Sequence, residues 1–344
     1  MKALKLVLSA VLLTAAFPLL SPAQGRSIYG DDNRLEYHEA SADIQRLAGS
    51  VVSLWDSKDL KADGGNYRLR TVKFGDALKL CPSERFRDQP AGAFCSGTLV
   101  GEDIIMTAGH CIVDNAGCAG ARFVFGYSIR RAGAPAATTI PAGEVYACKR
   151  IIKRDLSTQP ATFLSAIAML IGNMVNGGTG PDYALIQLDR KVTNHKPLAV
   201  NRGKGAAKGT GLFVIGHPVG LPLKVAGSAS VRDASPRYFF MTDLDTFGGN
   251  SGSAVFNANT KLIEGILVRG GTDFVKSPAG CTVSYQVGQK EGKGEAVTKI
   301  AALSAYIPHT GKAAGLNKEI PEMMDMKLDT SEPQQDMSRS IRFQ

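Results

Sequence analysis

Residues 94–111 read FCSGTLVGEDIIMTAGHC. Two short apolar runs, 94–100 and 104–108, are separated by Gly101, Glu102 and Asp103. Runs this short, rich in Val, Ile and Thr and parted by turn residues, predict a pair of β-strands joined by a tight connection. The same texture continues outward in both directions. It appears at 50–55 and 67–74 upstream, and at 122–127, 144–152, 183–188, 211–216, 238–242, 252–256 and 262–269 downstream. Many short strands at regular spacing predict an all-β sandwich or barrel. One helix is expected, over 298–306. The stretch 202–211, rich in Gly, Lys and Ala, reads as a linker between two halves, and no repeat recurs at a fixed short period.

The chain has 344 residues, of which 44% are hydrophobic and 21% charged, so it can fill ordinary cores and is neither fibrous nor disordered in bulk. At about 150 residues per domain this length suggests two domains. The formal charge of +9 invites a nucleic-acid reading. The basic residues are spread, however, with only small groups at Lys149-Arg150 and Lys153-Arg154. The N-terminus also argues against it. Lys2 and Lys5 precede an apolar run over 6–20, and Ser21, Pro22 and Ala23 follow as a small-residue cleavage site. That is the layout of a secretory signal peptide over 1–23, and the run is short for a membrane span. Its removal takes two lysines and leaves +7. A second apolar stretch, 161–171, is also too short to span and reads as an inserted helix or strand beside a loop. Six cysteines in an exported protein are expected to pair, in one of 15 connectivities. No CxxC is present, which disfavours a zinc ribbon or a thioredoxin site, and neither a metal site nor a cofactor is specified.

Three stretches carry chemistry: Thr107-Ala108-Gly109-His110-Cys111, Pro181-Asp182-Tyr183-Ala184-Leu185-Ile186, and Gly248-Gly249-Asn250-Ser251-Gly252-Ser253. A serine hydroxyl needs a base to take its proton. A neutral imidazole serves, and a carboxylate fixes its tautomer and steadies the imidazolium. Glycines beside the serine let the backbone turn tightly enough to aim N–H groups at a developing oxyanion. The order His, Asp, Ser excludes the subtilisin plan, and the missing Gly-x-Ser-x-Gly elbow excludes the α/β-hydrolase plan. His38, His195, His217 and His309 read as structural.

These three boxes resemble the active-site motifs of the trypsin/chymotrypsin-like serine peptidases, over roughly 50–305. The form Gly-Gly-Asn-Ser-Gly-Ser-Ala-Val-Phe is similar to the bacterial glutamyl-endopeptidase branch. The resemblance implies two antiparallel six-stranded β-barrels with the site in the cleft between them. It assigns His110 as general base, Asp182 as its orienting carboxylate, Ser251 as nucleophile, and the N–H groups of Gly249 and Ser251 as the oxyanion hole. It also implies a Cys95–Cys111 bridge. Cys118 and Cys148 flank two apparent strands that a hairpin about 132–135 would bring opposite one another, so Cys118–Cys148 is expected. Cys81–Cys281 follows by elimination.

The expected organisation is a signal over 1–23, a lead-in or propeptide over 24–49, an N-terminal barrel over 50–201, a C-terminal barrel over 202–308, and a polar, flexible tail over 309–344. The expected product is a monomeric, exported endopeptidase acting on proteins or peptides, without cofactor, nucleic acid or membrane span. Its location is the periplasm or the medium. The rival is a catalytically inactive, protease-like binding protein. Substrate preference stays open at this level. Asp245, six residues before Ser251, suits a basic side chain by analogy with trypsin-like enzymes. Leu267 stands where acid-specific relatives carry His, and Arg269 offers a cation nearby. Basic, acidic and apolar preferences all remain. The stretch from Ser27 to Arg34 resembles the mature start of the glutamyl endopeptidases, so a second cut after Arg26 is a further expectation beside a plain linker.

Overall fold

A computed structural model describes residues 28–156, 180–270 and 273–309. The expected signal, the Arg26 cut site, the apolar stretch 161–171 and the tail beyond 309 lie outside the described residues.

Twelve strands build two barrels. The first comprises β1 (Val51–Asp56), β2 (Cys95–Gly101), β3 (Ile104–Thr107), β4 (Ala121–Phe125), β5 (Val145–Leu156) and β6 (Asp182–Leu188). They close in the ring order β1-β2-β3-β6-β5-β4, all pairs antiparallel. The second comprises β7 (Gly211–Gly216), β8 (Lys224–Asp233), β9 (Phe239–Thr242), β10 (Ala254–Asn257), β11 (Ile263–Arg269) and β12 (Glu295–Lys299). Its ring is β7-β8-β9-β12-β11-β10, the same connectivity repeated.

Period-two alternation explains the packing. On β6, Ala184, Ile186 and Leu188 fill the first barrel with Val52, Leu54, Leu99, Ile105, Phe123 and Phe125. Tyr183 and Leu185 point the other way, into a shared cluster with Phe213, Ile215, Val225, Phe256, Ile266 and Val268 from the second barrel. On β7 and β11 the complementary set, Leu212, Val214 and Leu267, fills the second barrel with Phe240, Val255 and Val297. Strands buried on both faces read as continuous apolar runs, which is why 183–188 and 262–269 stand out in the sequence. Each such side chain contributes about 1.5–3 kcal/mol by leaving water.

Two elements differ from the sequence expectation. Residues 298–306 are no α-helix: they finish β12 and continue as two 3-10 turns, Ile300–Ala302 and Ser304–Tyr306. Ile300, Leu303 and Ile307 are all buried in the inter-barrel cluster, and such three- and four-residue spacing imitates a helix. The long strand β8, whose sequence KVAGSASVRD is polar and small, escapes a hydrophobicity-based reading altogether.

The segment ahead of the first barrel is integral from Ile28 onward. Ile28 and Tyr29 pair in parallel with Gln286 and Val287, and Leu35–Glu36 adds to the edge of β8 opposite Lys224 and Val225. A short helix, α1 (Ala42–Ala48), leads into β1. Three bridges are present: Cys81–Cys281, Cys95–Cys111 and Cys118–Cys148. Cys118 sits on a helical turn, Asn115–Gly120, rather than at a strand end, while β4 and β5 pair antiparallel beside it.

Candidate active site

His110 follows β3, and Asp182 is the first residue of β6, the strand paired with β3. Neighbouring strands thus deliver imidazole and carboxylate to one end of the first barrel. His110 Nδ1 lies 2.8 Å from Asp182 Oδ2. The other oxygen, Oδ1, accepts the N–H groups of Gly109 at 2.6 Å and His110 at 3.2 Å. Asp182 is 2% exposed. A buried carboxylate gripped by three N–H donors is locked in place, and it holds the proton of His110 on Nδ1 so that Nε2 keeps a lone pair outward. Arg154 on β5 donates to the Gly109 carbonyl at 2.7 Å and steadies the same loop.

The second barrel holds Asp182 by its backbone. Thr298 Oγ1 on β12 accepts the Asp182 N–H at 3.2 Å and donates to the Asp182 carbonyl at 3.0 Å. Sequence reasoning missed Thr298, because a lone threonine in a strand carries no signal of its partner.

Ser251 lies in the turn between β9 and β10. The Ser251 carbonyl accepts the Ser96 N–H at 2.9 Å and lies 3.6 Å from Cys111 Sγ, beside His110. Gly252, at φ +90°, sits so close to the Ser96 carbonyl that any Cβ would collide with it. Gly249 has φ +83°, a conformation that side chains resist. Among the described residues, neither the Gly249 nor the Ser251 N–H has an acceptor within the protein. The ring of His110 and the hydroxyl of Ser251 are brought to one site but share no hydrogen bond here; this contact is often loose before a substrate tightens it. The Cys95–Cys111 bridge ties β2 to the His110 loop. Among the described residues, Cys95, His110 and Cys111 are the one His/Cys/acid group close enough to hold a metal ion, and the bridge leaves its sulfurs no thiolate to offer.

The three specificity candidates fare differently. Asp245 is 1% exposed, and its carboxylate accepts the N–H groups of Tyr29 at 2.8 Å and Asn33 at 3.1 Å. It anchors the N-terminal segment and is not offered to an incoming basic side chain. Burial pushes its carboxyl up to about 6 against the pull of those amides. Leu267 is fully buried in the core of the second barrel and lines no pocket. The expectation for both is thereby corrected, and the reason is shared: neither strand direction nor a partner over 200 residues away is written in local spacing. Arg269 is half-buried, with Nη2 donating to the Gly180 carbonyl at 2.8 Å, two residues before Asp182.

The remaining described histidines that read as structural are bonded. His217 is fully buried, stacked on Tyr127, with Nδ1 3.0 Å from the Leu221 carbonyl; burial drives its pKa down to about 3. His195 Nε2 lies 2.6 Å from Glu144, and His38 Nδ1 lies 3.3 Å from the Ile129 carbonyl.

Residues 95–263 match the family model described as the trypsin-like peptidase domain. No curated protein matches the chain. Among solved structures, the chain is similar to a Glu endopeptidase in complex with MPD, at 16% identity, covering 81% of this chain and 96% of that one with a TM-score of 0.42. It is also similar to the VesB protease of Vibrio cholerae, at 15% identity, covering 80% and 66% with a TM-score of 0.45. A third is Rv3671c of M. tuberculosis in an inactive form, at 13% identity, covering 78% and 92% with a TM-score of 0.40.

Proposed function

Taking as premise that this chain is a serine endopeptidase with a trypsin-like peptidase domain at residues 95–263, we propose that it is exported and acts through His110, Asp182 and Ser251. The observation that carries the assignment is the gripped carboxylate: Asp182 holds Nδ1 of His110 and the backbone on either side of Gly109, so Nε2 is the free base. In the first step Nε2 takes the Ser251 proton as Oγ attacks the scissile carbonyl. Asp182 stabilises the imidazolium, and the N–H groups of Gly249 and Ser251 receive the oxyanion. His110 then protonates the leaving amine, and water repeats the sequence to release the acyl group. A fluorophosphonate probe tests this. It should label Ser251 in the wild type and not in Ser251→Ala, with activity falling on the order of a million-fold. A folded wild type that neither labels nor cleaves would mean the rival reading, a binding protein, is correct.

Export is supported by the layout of residues 1–23 together with three disulfides, which persist in oxidising compartments. For substrate preference, the reading is that acidic side chains are favoured over basic ones. Asp245 is engaged by Tyr29 and Asn33, while Arg269 remains partly accessible beside the Asp182 loop. Profiling on a peptide library decides this, and dominant cleavage after Lys or Arg would sink it. The second cut after Arg26 would place the new terminus one residue before Ile28, whose N–H donates to the Tyr285 carbonyl at 3.0 Å. N-terminal sequencing of the active protein tests it: a fully active chain starting at Gln24 rejects the cut.

A further inference from the structure

The turn that carries Ser251 is rich in glycine, and a glycine-rich turn does not hold a fixed direction by itself. Two peptide groups bear the N–H donors of the proposed oxyanion hole: 248–249 and 250–251. The 249–250 peptide lies between them. Because each peptide is a rigid plane, fixing the middle one sets how its neighbours can turn.

The middle peptide is held from the other barrel. Ser96 Oγ, on β2, donates to the Gly249 carbonyl at 2.9 Å. The same hydroxyl accepts the His217 N–H at 2.9 Å. The directions are unambiguous, since a carbonyl can only accept and an amide can only donate. Ser96 is fully buried, and its own N–H donates to the Ser251 carbonyl at 2.9 Å. Its carbonyl in turn accepts Thr107 Oγ1 at 2.7 Å, three residues ahead of His110. Its neighbour Cys95 is bridged to Cys111, next to His110. One dipeptide of β2 therefore touches both halves of the machinery. Other contacts fix the flanks: the Val219 N–H donates to the Gly248 carbonyl at 2.5 Å, and the Asn250 N–H donates to the Phe247 carbonyl at 3.1 Å.

We infer that Ser96 is a positioning residue for the reaction, its hydroxyl latching the Gly249–Asn250 peptide so that the Gly249 and Ser251 N–H groups converge on the oxyanion. This rests on the reading of Ser251 as nucleophile. Ser96 touches no substrate; it acts through Gly249. Replacing it by alanine leaves the Gly249 carbonyl and the His217 N–H buried without partners and frees the middle peptide to rotate.

The test compares wild type, Ser96→Ala and Ser96→Thr on a cleaved peptide, on a peptide aldehyde that forms a tetrahedral adduct, and on a product peptide that forms none. Losing one oxyanion donor outright costs about 100- to 1,000-fold in kcat, and loosening one should cost about 10- to 100-fold. Ser96→Ala should therefore lose that factor in kcat with KM within about twofold. Its aldehyde affinity should fall by a similar factor while product binding stays put, and Ser96→Thr should recover both. A purely structural role would not separate aldehyde from product. Unchanged kcat, or a fall in kcat with aldehyde affinity intact, overturns the inference. If Ser96→Ala fails to fold, Ser96→Thr decides: near wild-type kcat and aldehyde affinity support the latch, and a folded Thr variant that loses kcat but not aldehyde affinity refutes it. Failure of the wild type to take a fluorophosphonate would instead remove the triad reading beneath it.

Discussion

At the scale of single residues, two buried ionisable groups behind the site oppose each other. His217 is held neutral, its pKa driven from 6.5 to about 3 by burial, with nearby Lys224 adding to the effect. Between those values the unfolded chain binds a proton that the folded chain refuses. His217 thus contributes stability that is complete above pH 6.5 and lost as pH falls toward 3, at about 1.4 kcal/mol per pH unit. Asp245 works in the other direction. Its carboxyl is raised from 3.8 to about 6, mainly by burial, so between those values the folded chain binds the extra proton and gains stability as pH falls. From about pH 6 down to about 4 the two slopes cancel. Urea titrations across that range should show His217→Asn gaining relative stability toward low pH and Asp245→Asn losing it. Parallel curves for the two variants would contradict the assignment. The triad residues were legible in the sequence because their chemistry needs particular flanking residues: Thr-Ala-Gly before His110, glycines around Ser251. Ser96, Thr298 and the engagement of Asp245 were not, because each depends on a partner brought close only by the fold.

At the scale of elements, the lead-in strand Leu35–Glu36 puts a charge where none is expected. Glu36 accepts from Lys224 Nζ at 3.0 Å, and Lys224 also donates to Gln89 Oε1 at 2.9 Å and the Pro222 carbonyl at 2.8 Å. Both ionic side chains are nearly fully buried, and Lys224 packs over Phe86. Burial lowers the Lys224 pKa to about 8. A buried pair adds little net stability, but breaking it is costly because one charge is stranded. Glu36→Ala should destabilise the protein by about 3–5 kcal/mol, and adding Lys224→Met should restore most of that. Chemical denaturation of the two variants measures it, and an unrescued double variant would place the loss elsewhere in the segment. The element was hard to read in the sequence for a related reason. Residues 24–49 look polar, yet their polar groups are used inward: Arg34 is buried against Phe247, Glu36 faces Lys224, and the Tyr29 and Asn33 amides cap Asp245. Strand β8 hides likewise, its apolar positions being small (Ala226, Ala229) rather than large.

At the scale of the whole molecule, the two barrels repeat one strand order and meet through a common apolar cluster, so their docking is built into the strands themselves. The Cys81–Cys281 bridge adds a covalent tie across a sequence separation of 200 residues, against 30 for Cys118–Cys148. It reinforces contacts already present: Leu80 bridges to Thr282, and the Thr282 N–H donates to the Lys79 carbonyl at 2.9 Å. If a bridge acts by restricting the unfolded chain, its worth grows with the loop it closes. That model assigns about 5 kcal/mol to Cys81–Cys281 and about 3.7 kcal/mol to Cys118–Cys148. Replacing each pair by serines should therefore cost more at 81 and 281 than at 118 and 148. Neither pair touches Ser251, so kcat per folded molecule should stay close to wild type in both variants. Denaturation midpoints with active-site titration separate the two quantities. A larger loss at 118 and 148 would mean that this bridge stabilises the native hairpin of β4 and β5 directly, and that loop length is not what ranks the bridges in this fold.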